Sequence, residues 1–356
     1  MRRKVILYGP LPPPFGGVSV YLSFLAEHLR ACRIRVWSVL GDRTVKDPQV
    51  RYVRHRRLGV IPALFREGRG ARILDATHFH LEYPNKILLP VWLICKLLVG
   101  FEWYKNVLDG SLPARWREFG PAQRLLFRLA VRTVDEFIVV SGELKRWLQD
   151  EIKVRQPVTL IPCLLPIPDA AHAPLPAATQ EALAPYLRRG RRVCSVGVFI
   201  PDYGFKHVVE AVEALRRETG EDIGLVLLDG TFARDEDYRA ATLGGREWTT
   251  VLENVPNPDV YQILRRSDAF VRAFGRESYG ISRVEAIWCG LPVVATTAGE
   301  TRGMLTYDFG DVDRLKEQLR RALFDPPAQD IHEWAEVFRR EAEENLQNVM
   351  RTIKLS

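Results

Sequence analysis

The chain has 356 residues, too long for one ordinary core and suited to two α/β domains of about 150 residues each. Its charged and apolar fractions are those of a globular protein. The five scattered cysteines, Cys32, Cys95, Cys163, Cys194 and Cys289, form no C-x2-C pair, which argues against a disulfide framework or a zinc site. The net charge of +7 is unevenly spread: residues 1–165 hold 27 Lys and Arg against 14 Asp and Glu, a surplus of +13, and the remainder holds 24 against 30, or −6. A basic first half implies an anionic partner for that half alone: nucleic acid, acidic lipid headgroups or a diphosphate-linked acceptor.

In chain order, Met1-Arg-Arg-Lys4 runs straight into the apolar Val5-Ile-Leu-Tyr-Gly9, leaving no room for a signal-peptide core, so a cytoplasmic protein is expected. The first half alternates β-branched runs with amphipathic segments, the pattern of a parallel sheet with crossover helices. Strands are predicted at 4–8, 35–39, 76–81, 106–108, 136–140 and 159–162, and helices at 18–31, 87–98, 121–133 and 142–150. Gly16 and Gly17 follow the first strand and open the first helix, where glycine lets a ligand approach the backbone; no G-x-G-x-x-G fingerprint accompanies them. The apolar run from Ile87 to Phe101 is shorter than the ~20 residues of a spanning helix and contains Pro90 and Lys96.

Six prolines fall from Pro162 to Pro185, and this change of texture marks residues 166–190 as a connection between domain 1–165 and domain 191–325. The alternation then resumes. Strands are predicted at 192–197, 224–228, 250–253, 269–272 and 292–296, with helices at 206–219, 259–266, 282–289 and 313–323. A final polar helix, 330–346, lies in the closing segment 326–356.

The segment with most chemistry is Glu277-Ser-Tyr-Gly-Ile-Ser-Arg-Val-Glu285, followed by Ala-Ile-Trp-Cys-Gly-Leu-Pro-Val-Val-Ala-Thr. Glu277 falls at a strand-to-helix turn and Glu285 about two helical turns further on. Both can then address one ligand at the helix N-terminus, where unpaired N–H groups from Gly280 and Ile281 favour an anion. The plainer alternative is that Glu277 only complements the helix dipole and Glu285 is solvated. His78 and His80 share a face of a predicted strand without a third ligand. The basic runs at Arg51–Arg57 and Arg115–Arg117 read as solvated faces. Basic and aromatic residues interleave over 92–117, including Trp92, Phe101, Trp103, Tyr104, Lys105 and Trp116, which also suits a membrane interface. No zinc finger, basic-region helix or RNP motif appears, so nucleic acid is the least favoured anionic partner.

The E-x7-E segment, with Gly290-Leu-Pro-Val-Val-Ala-Thr after it, closely resembles the signature of retaining family 4 glycosyltransferases. The resemblance is specific in residues 267–300 and elsewhere rests on order and spacing. It implies a GT-B fold of two Rossmann-like domains whose parallel sheets face a central cleft, with the C-terminal helix crossing back to the first domain. It also implies sugar transfer from a nucleotide sugar to a hydroxyl of a glycan or lipid-linked acceptor, with retention and without a metal or other cofactor. Glu285 would hold the ribose, Gly280 and Ile281 the diphosphate, and Glu277 the sugar. Gly16 and Gly17 match a Gly-Gly of the family. Asp109, before Gly110, stands where a histidine is frequent and could accept hydrogen bonds from the sugar. The largest departure is Gly197-Val198-Phe199-Ile200-Pro201-Asp202-Tyr203-Gly204. Val198 and Tyr203 occupy the positions of an Arg and a Lys that clamp the donor diphosphate, as in a subgroup with Tyr-Gly in this loop. Arg272, aided by Lys206, is the expected replacement, with Arg276 and Arg283 nearby. Expected partners are the nucleotide sugar, the acceptor and, peripherally, an anionic membrane. Competing expectations are an inactive homologue acting as a binding partner, a nucleotide-sugar 2-epimerase and a basic nucleic-acid-binding protein.

Overall fold

The computed structural model describes residues 4–32, 34–44, 46–53, 59–77, 88–167, 173–231 and 233–355. The chain divides into two units: residues 1–13, 17–165 and 343–356 form the first, and residues 14–16 and 166–342 the second.

In the first unit, β1 (Val5–Gly9), α1 (Gly17–His28), β2 (Arg35–Ser38), β3 (Val50–Tyr52) and α2 (Ile61–Glu67) come first. They are followed by β4 (Arg72–Asp75), α3 (Leu88–Val99), β5 (Glu102–Val107), α4 (Leu112–Glu118) and α5 (Pro121–Val131). The unit continues through β6 (Glu136–Val139), α6 (Gly142–Arg146) and β7 (Val158–Leu160). A π-helical stretch, Trp147–Ile152, extends α6 and stops at Lys153, whose φ is 60°. The sheet has seven parallel strands in the order β3-β2-β1-β4-β5-β6-β7.

The second unit begins with α7 (Ala177–Leu187), β8 (Arg191–Gly197), α8 (Phe205–Thr219), β9 (Ile223–Asp229) and α9 (Glu236–Leu243). Next come β10 (Thr249–Glu253), α10 (Asn257–Leu264), β11 (Ala269–Arg272) and α11 (Ile281–Trp288). It closes with β12 (Val293–Thr296), β13 (Leu305–Tyr307), α12 (Val312–Phe324) and α13 (Ala328–Thr352), whose residues from Glu343 onward belong to the first unit. The six strands are again all parallel, in the order β10-β9-β8-β11-β12-β13. Strand order reverses between β1 and β4 in one sheet and between β8 and β11 in the other, the point where open α/β sheets leave a crevice at their strand ends.

Local sequence explains these elements. All seven residues of β9, Ile-Gly-Leu-Val-Leu-Leu-Asp, are buried, as a parallel strand covered on both faces requires. Helix α8 buries Phe205, Val208, Val209, Ala211, Val212 and Leu215 at helical spacing and ends at Gly220, whose φ of 71° suits a left-handed cap. These residues join Val193, Leu225, Leu227, Val271 and Leu319 in one core.

Several expectations need correction. The strand sought at 76–81 lies earlier, at Arg72–Asp75, because its register with β1 pairs Val5 with Arg72 and Tyr8 with Asp75. His78 and His80, like Arg54, Arg56 and Arg57, lie outside the described residues. The stretch 166–190, expected as a connection, contains α7, with Pro185 inside it and Leu183 and Tyr186 buried. Strands β3 and β13 went unrecognised because each has only three residues at a sheet edge. The rings singled out in the stretch 92–117 do not face outward. Trp92, Phe101, Trp103, Tyr104, Lys105 and Trp116 are all 4% exposed or less, and Trp92 packs edge-on against Phe101 and Trp103. Burial of the rings in the helix–sheet layer outweighs their fitness for an interface.

Phe205 is fully buried, with its ring 5.0 Å from that of Phe199. Phe205→Ala should therefore cost about 3–5 kcal/mol, through lost burial and the cavity left behind. Urea unfolding of the purified protein should give an unfolding free energy lower by that amount, and so a lower midpoint.

Candidate active site

The turn from β8 and the turn from β11 meet at the switch point of the second sheet. Register pairs Ala269, Phe270 and Val271 with Val193, Cys194 and Ser195, which sets Arg272 beside Val196 at the strand ends. After Gly197 the chain enters a 3-10 turn, Pro201–Tyr203, closed by Gly204 with φ 63°. A Cβ on Gly204 would lie 2.6 Å from the Ala273 carbonyl oxygen, so only glycine lets the two turns touch.

Arg272 is held there on every side. Its Nε donates to Glu277 Oε2 at 2.7 Å and its Nη1 to the Val196 carbonyl at 2.6 Å. Its guanidinium lies 5.1 Å from the Tyr203 ring centre and 5.3 Å from that of Phe274, and those two rings stack at 4.3 Å. Burial works against the Arg272 charge, but Glu277 and Tyr203 more than offset it and raise the pKa. Arg272 is 9% exposed. It is therefore a packed side chain and not a solvated strand end.

Glu277 begins the turn into α11 and Gly280 ends it with φ 88°. A Cβ on Gly280 would come within 2.9 Å of Arg283 Cδ and 3.0 Å of Glu277 Cγ, so space and backbone both require glycine. Ile281 is the first helical residue. Arg283, expected as a spare cation, is fully buried and serves as scaffold. Its Nη1 donates to the carbonyls of Thr296, Ala298 and Glu300, and its Nη2 to Thr296 Oγ1 at 2.9 Å. Burial lowers its pKa to about 10. The segment it grips is braced again where Arg302 forks between Glu300 and Glu341 of α13, over the rings of Trp334 and Phe338.

Glu285 points away from this pair, into the contact with α10. Tyr261 Oη donates to Glu285 Oε1 at 2.7 Å and Asn257 Nδ2 donates to the same oxygen at 3.3 Å. The residue is 3% exposed, which rules out the solvated alternative. Burial pushes its pKa up against the pull of those two hydrogen bonds. The two glutamates thus bind separate partners. Tyr261 and Asn257 were not singled out from sequence, although their i, i+4 spacing puts both on one face of α10.

The remaining candidates are dispersed. Lys206 is exposed on the first turn of α8, with Nζ 3.9 Å from Glu210. Arg276 pairs with Asp202. Val198 is fully buried, so an arginine in its place would have to sit in the core. In the first unit Asp109 follows β5, accepts from the Ser111 amide at 2.8 Å and pairs with Arg115. Gly16 is half-buried, and Gly17 opens α1, where a Cβ would meet nothing within 4 Å. Among the described residues no group of three or more His, Cys, Asp and Glu could hold a metal.

Two parallel-sheet units of this order, with paired carboxylates around a glycine-opened helix, define a GT-B α/β protein, and solved structures agree. The structure of Anabaena Alr3699/HepE in complex with UDP-glucose matches with a TM-score of 0.74 at 16% identity, over 98% of this chain and 99% of that one. An E. coli structure described as trehalose-6-phosphate bound with UDP-2-fluoro glucose matches at 0.72 and 14%, over 99% of each chain. Sucrose-phosphate synthase from Thermosynechococcus elongatus matches at 0.65 and 17%, over 99% of this chain and 97% of that one. Residues 188–344 match the family model "Glycosyl transferases group 1". Among curated proteins none matches this sequence.

The Arg272–Glu277 pair is 11% and 10% exposed at its side chains. Glu277→Ala should leave a buried, uncompensated guanidinium and cost about 3–5 kcal/mol, as broken buried pairs do. Glu277→Gln, which keeps an oxygen acceptor, should cost clearly less. Equal unfolding midpoints for the two variants, both below that of the unaltered protein, would show that the acceptor oxygen contributes nothing and that loss of the carboxylate charge sets the whole cost.

Proposed function

We propose that this protein transfers a sugar from a nucleotide-sugar donor to a hydroxyl of a glycan or lipid-linked acceptor, with retention of anomeric configuration and without a metal. The observation that carries this reading is the immobilised carboxylate pair around the N-terminus of α11: Glu277 on Arg272, and Glu285 on Tyr261 and Asn257. Acceptor groups already fixed in place bind hydroxyls without a further ordering cost. Solved relatives of the same fold hold UDP-glucose, UDP and UDP-2-fluoro glucose, which makes a UDP-sugar the first donor to try.

In this reading Glu285 Oε1 is spoken for by α10 and Oε2 takes the ribose hydroxyls. The amides of Gly280 and Ile281 meet the diphosphate, whose charge the helix end favours. Arg272 contributes its fixed positive charge, and Lys206, loosely paired and exposed, can turn to a phosphate oxygen. Glu277 positions the sugar while the departing phosphate takes the acceptor's proton. Gly17 fits a ligand-approach role, because neither φ nor neighbouring atoms in the fold demand glycine there. Gly16 and Asp109 are assigned by position in the sequence alone, Asp109 as an acceptor for sugar hydroxyls.

A second reading, a weakly catalytic homologue that binds a partner, draws on one observation: apolar packing has replaced charge at buried Val198 and stacked Tyr203. Losing donors to a developing oxyanion costs several kcal/mol of barrier.

Thermal-shift screening against UDP-, GDP-, ADP- and TDP-sugars should raise the melting temperature with one nucleotide. Glu285→Gln keeps the shape of the α10 contact and removes the charge. It should weaken binding of that nucleoside diphosphate by about 1.5–3 kcal/mol, the range for hydrogen bonds to charged groups. Unchanged calorimetric affinity would overturn the ribose assignment. Product of inverted configuration would overturn retention, and a bound donor with no turnover would favour the second reading.

A further inference from the structure

The described residues include nine exposed large hydrophobic side chains, and six of them lie on three helices of the first unit. They are Phe65 of α2, Ile94, Leu97 and Leu98 of α3, and Leu125 and Leu129 of α5, with Leu97 84% exposed. Topology brings these helices together. The connections β3 to β4, β4 to β5 and β5 to β6 all run the same way across the sheet, so right-handed crossovers put α2, α3 and α5 on one face. Helix α1, which leads back from β1 to β2, takes the other. Helix α2 packs on α3, and Lys96 of α3 reaches the Thr133 carbonyl and Asp135 just beyond α5.

Charge on this face has one dominant sign. Arg124, Arg128 and Arg132 form an exposed i, i+4, i+8 row along α5 and past its end, beside the Leu125–Leu129 row, and Arg66 and Arg69 are exposed at the end of α2. The nearby acids are largely neutralised: Glu67 by Lys4 and Arg51, and Asp135 by Lys96. Leucine rows beside arginine rows are the pattern of helices that lie in a bilayer interface. Protein interfaces instead favour aromatic anchors, and Phe65 is the one exposed ring here among the described residues of these helices. Among the described residues no helix is long and apolar enough to cross a membrane.

We propose that the α2–α3–α5 face of the first unit docks on the surface of an anionic lipid bilayer, burying Leu97, Leu98 and their neighbours among acyl chains while the arginines meet lipid phosphates. This deepens the reading of a lipid-linked acceptor and moves the contact from the buried aromatics of 92–117 to side chains that water reaches. An exposed apolar area framed by cations needs a partner of opposite charge with an apolar interior.

The test is co-sedimentation of the full chain with vesicles of phosphatidylcholine alone or with about a third phosphatidylglycerol, near the acidic-lipid content for which basic clusters bind. Binding should require the anionic lipid and fall as salt is raised. The pair Leu97→Glu and Leu98→Glu should lower vesicle affinity about tenfold or more by putting charge where apolar surface inserts. Arg124→Gln with Arg128→Gln should lower it on anionic vesicles only. Circular dichroism and calorimetric nucleotide binding, unchanged in these variants, keep loss of docking separate from loss of fold or of the donor site. No binding, or equal binding to neutral and anionic vesicles, would overturn the proposal. So would a dimer in analytical ultracentrifugation that Leu97→Glu with Leu98→Glu dissociates, because a second copy would then cover the face. A protein that docks on vesicles yet binds no sugar nucleotide would leave this proposal standing and sink the donor reading.

Discussion

Two guanidinium groups buried on either side of one glycine shape the second unit. A charge removed from water costs several kcal/mol unless its surroundings replace the lost hydration. Arg272 meets this demand with Glu277, the Val196 carbonyl and two stacked rings. Arg283 meets it with three carbonyls and the Thr296 hydroxyl. Arg272 ties the turn after its own strand to the end of β8, and Arg283 ties α11 to the end of β12 and the turn that follows it. Gly280 sits between the two arginines, where a methyl group would collide with Arg283 and Glu277.

This arrangement also explains how the 197–204 loop holds together without the cations expected in it. Val198 enters the core, and the Tyr203 ring lies on Phe274 with Arg272 above both. A lysine at position 203 would bring a second positive charge to Arg272. The tyrosine instead offers a ring face, which attracts a cation. The positive charge packed on this loop's tyrosine is that of one arginine held at the strand end. The bracing continues outward, since Glu300, whose carbonyl Arg283 holds, is bound through Arg302 to α13.

The first unit separates two chemistries that are mixed in its sequence. Between residues 92 and 117 rings and cations alternate with little visible order, yet the rings turn into the layer between sheet and helices. Lys105 is 1% exposed, 3.5 Å from Asp75, and donates to the Thr77 carbonyl. The large side chains left outside on α2, α3 and α5 are aliphatic and cationic, with Phe65 the exposed ring among them.

How much of this was legible follows from the range of the interactions. Alternating apolar runs announced most strands and helices, because burial on a sheet or a helix face repeats every two or about 3.6 residues. Local periodicity located β11, α11 and the glutamates within a residue or so. It missed β3 and β13 and the helices α2, α4, α7 and α9, whose order depends on a neighbouring strand or on packing rather than on their own composition. The E-x7-E spacing marked Glu277 and Glu285 as a pair, but not that one is held by Arg272 and the other by Tyr261 and Asn257. The sequence by itself determined the parallel α/β architecture, the charge asymmetry and the residues around α11, since each is written in composition or short spacing. Only the tertiary structure decided that Arg272 and Arg283 are buried, that Tyr203 stacks beneath a cation and that Leu97 rather than Trp103 meets the solvent. Those outcomes depend on which distant strand or helix lies opposite, and no local pattern encodes it.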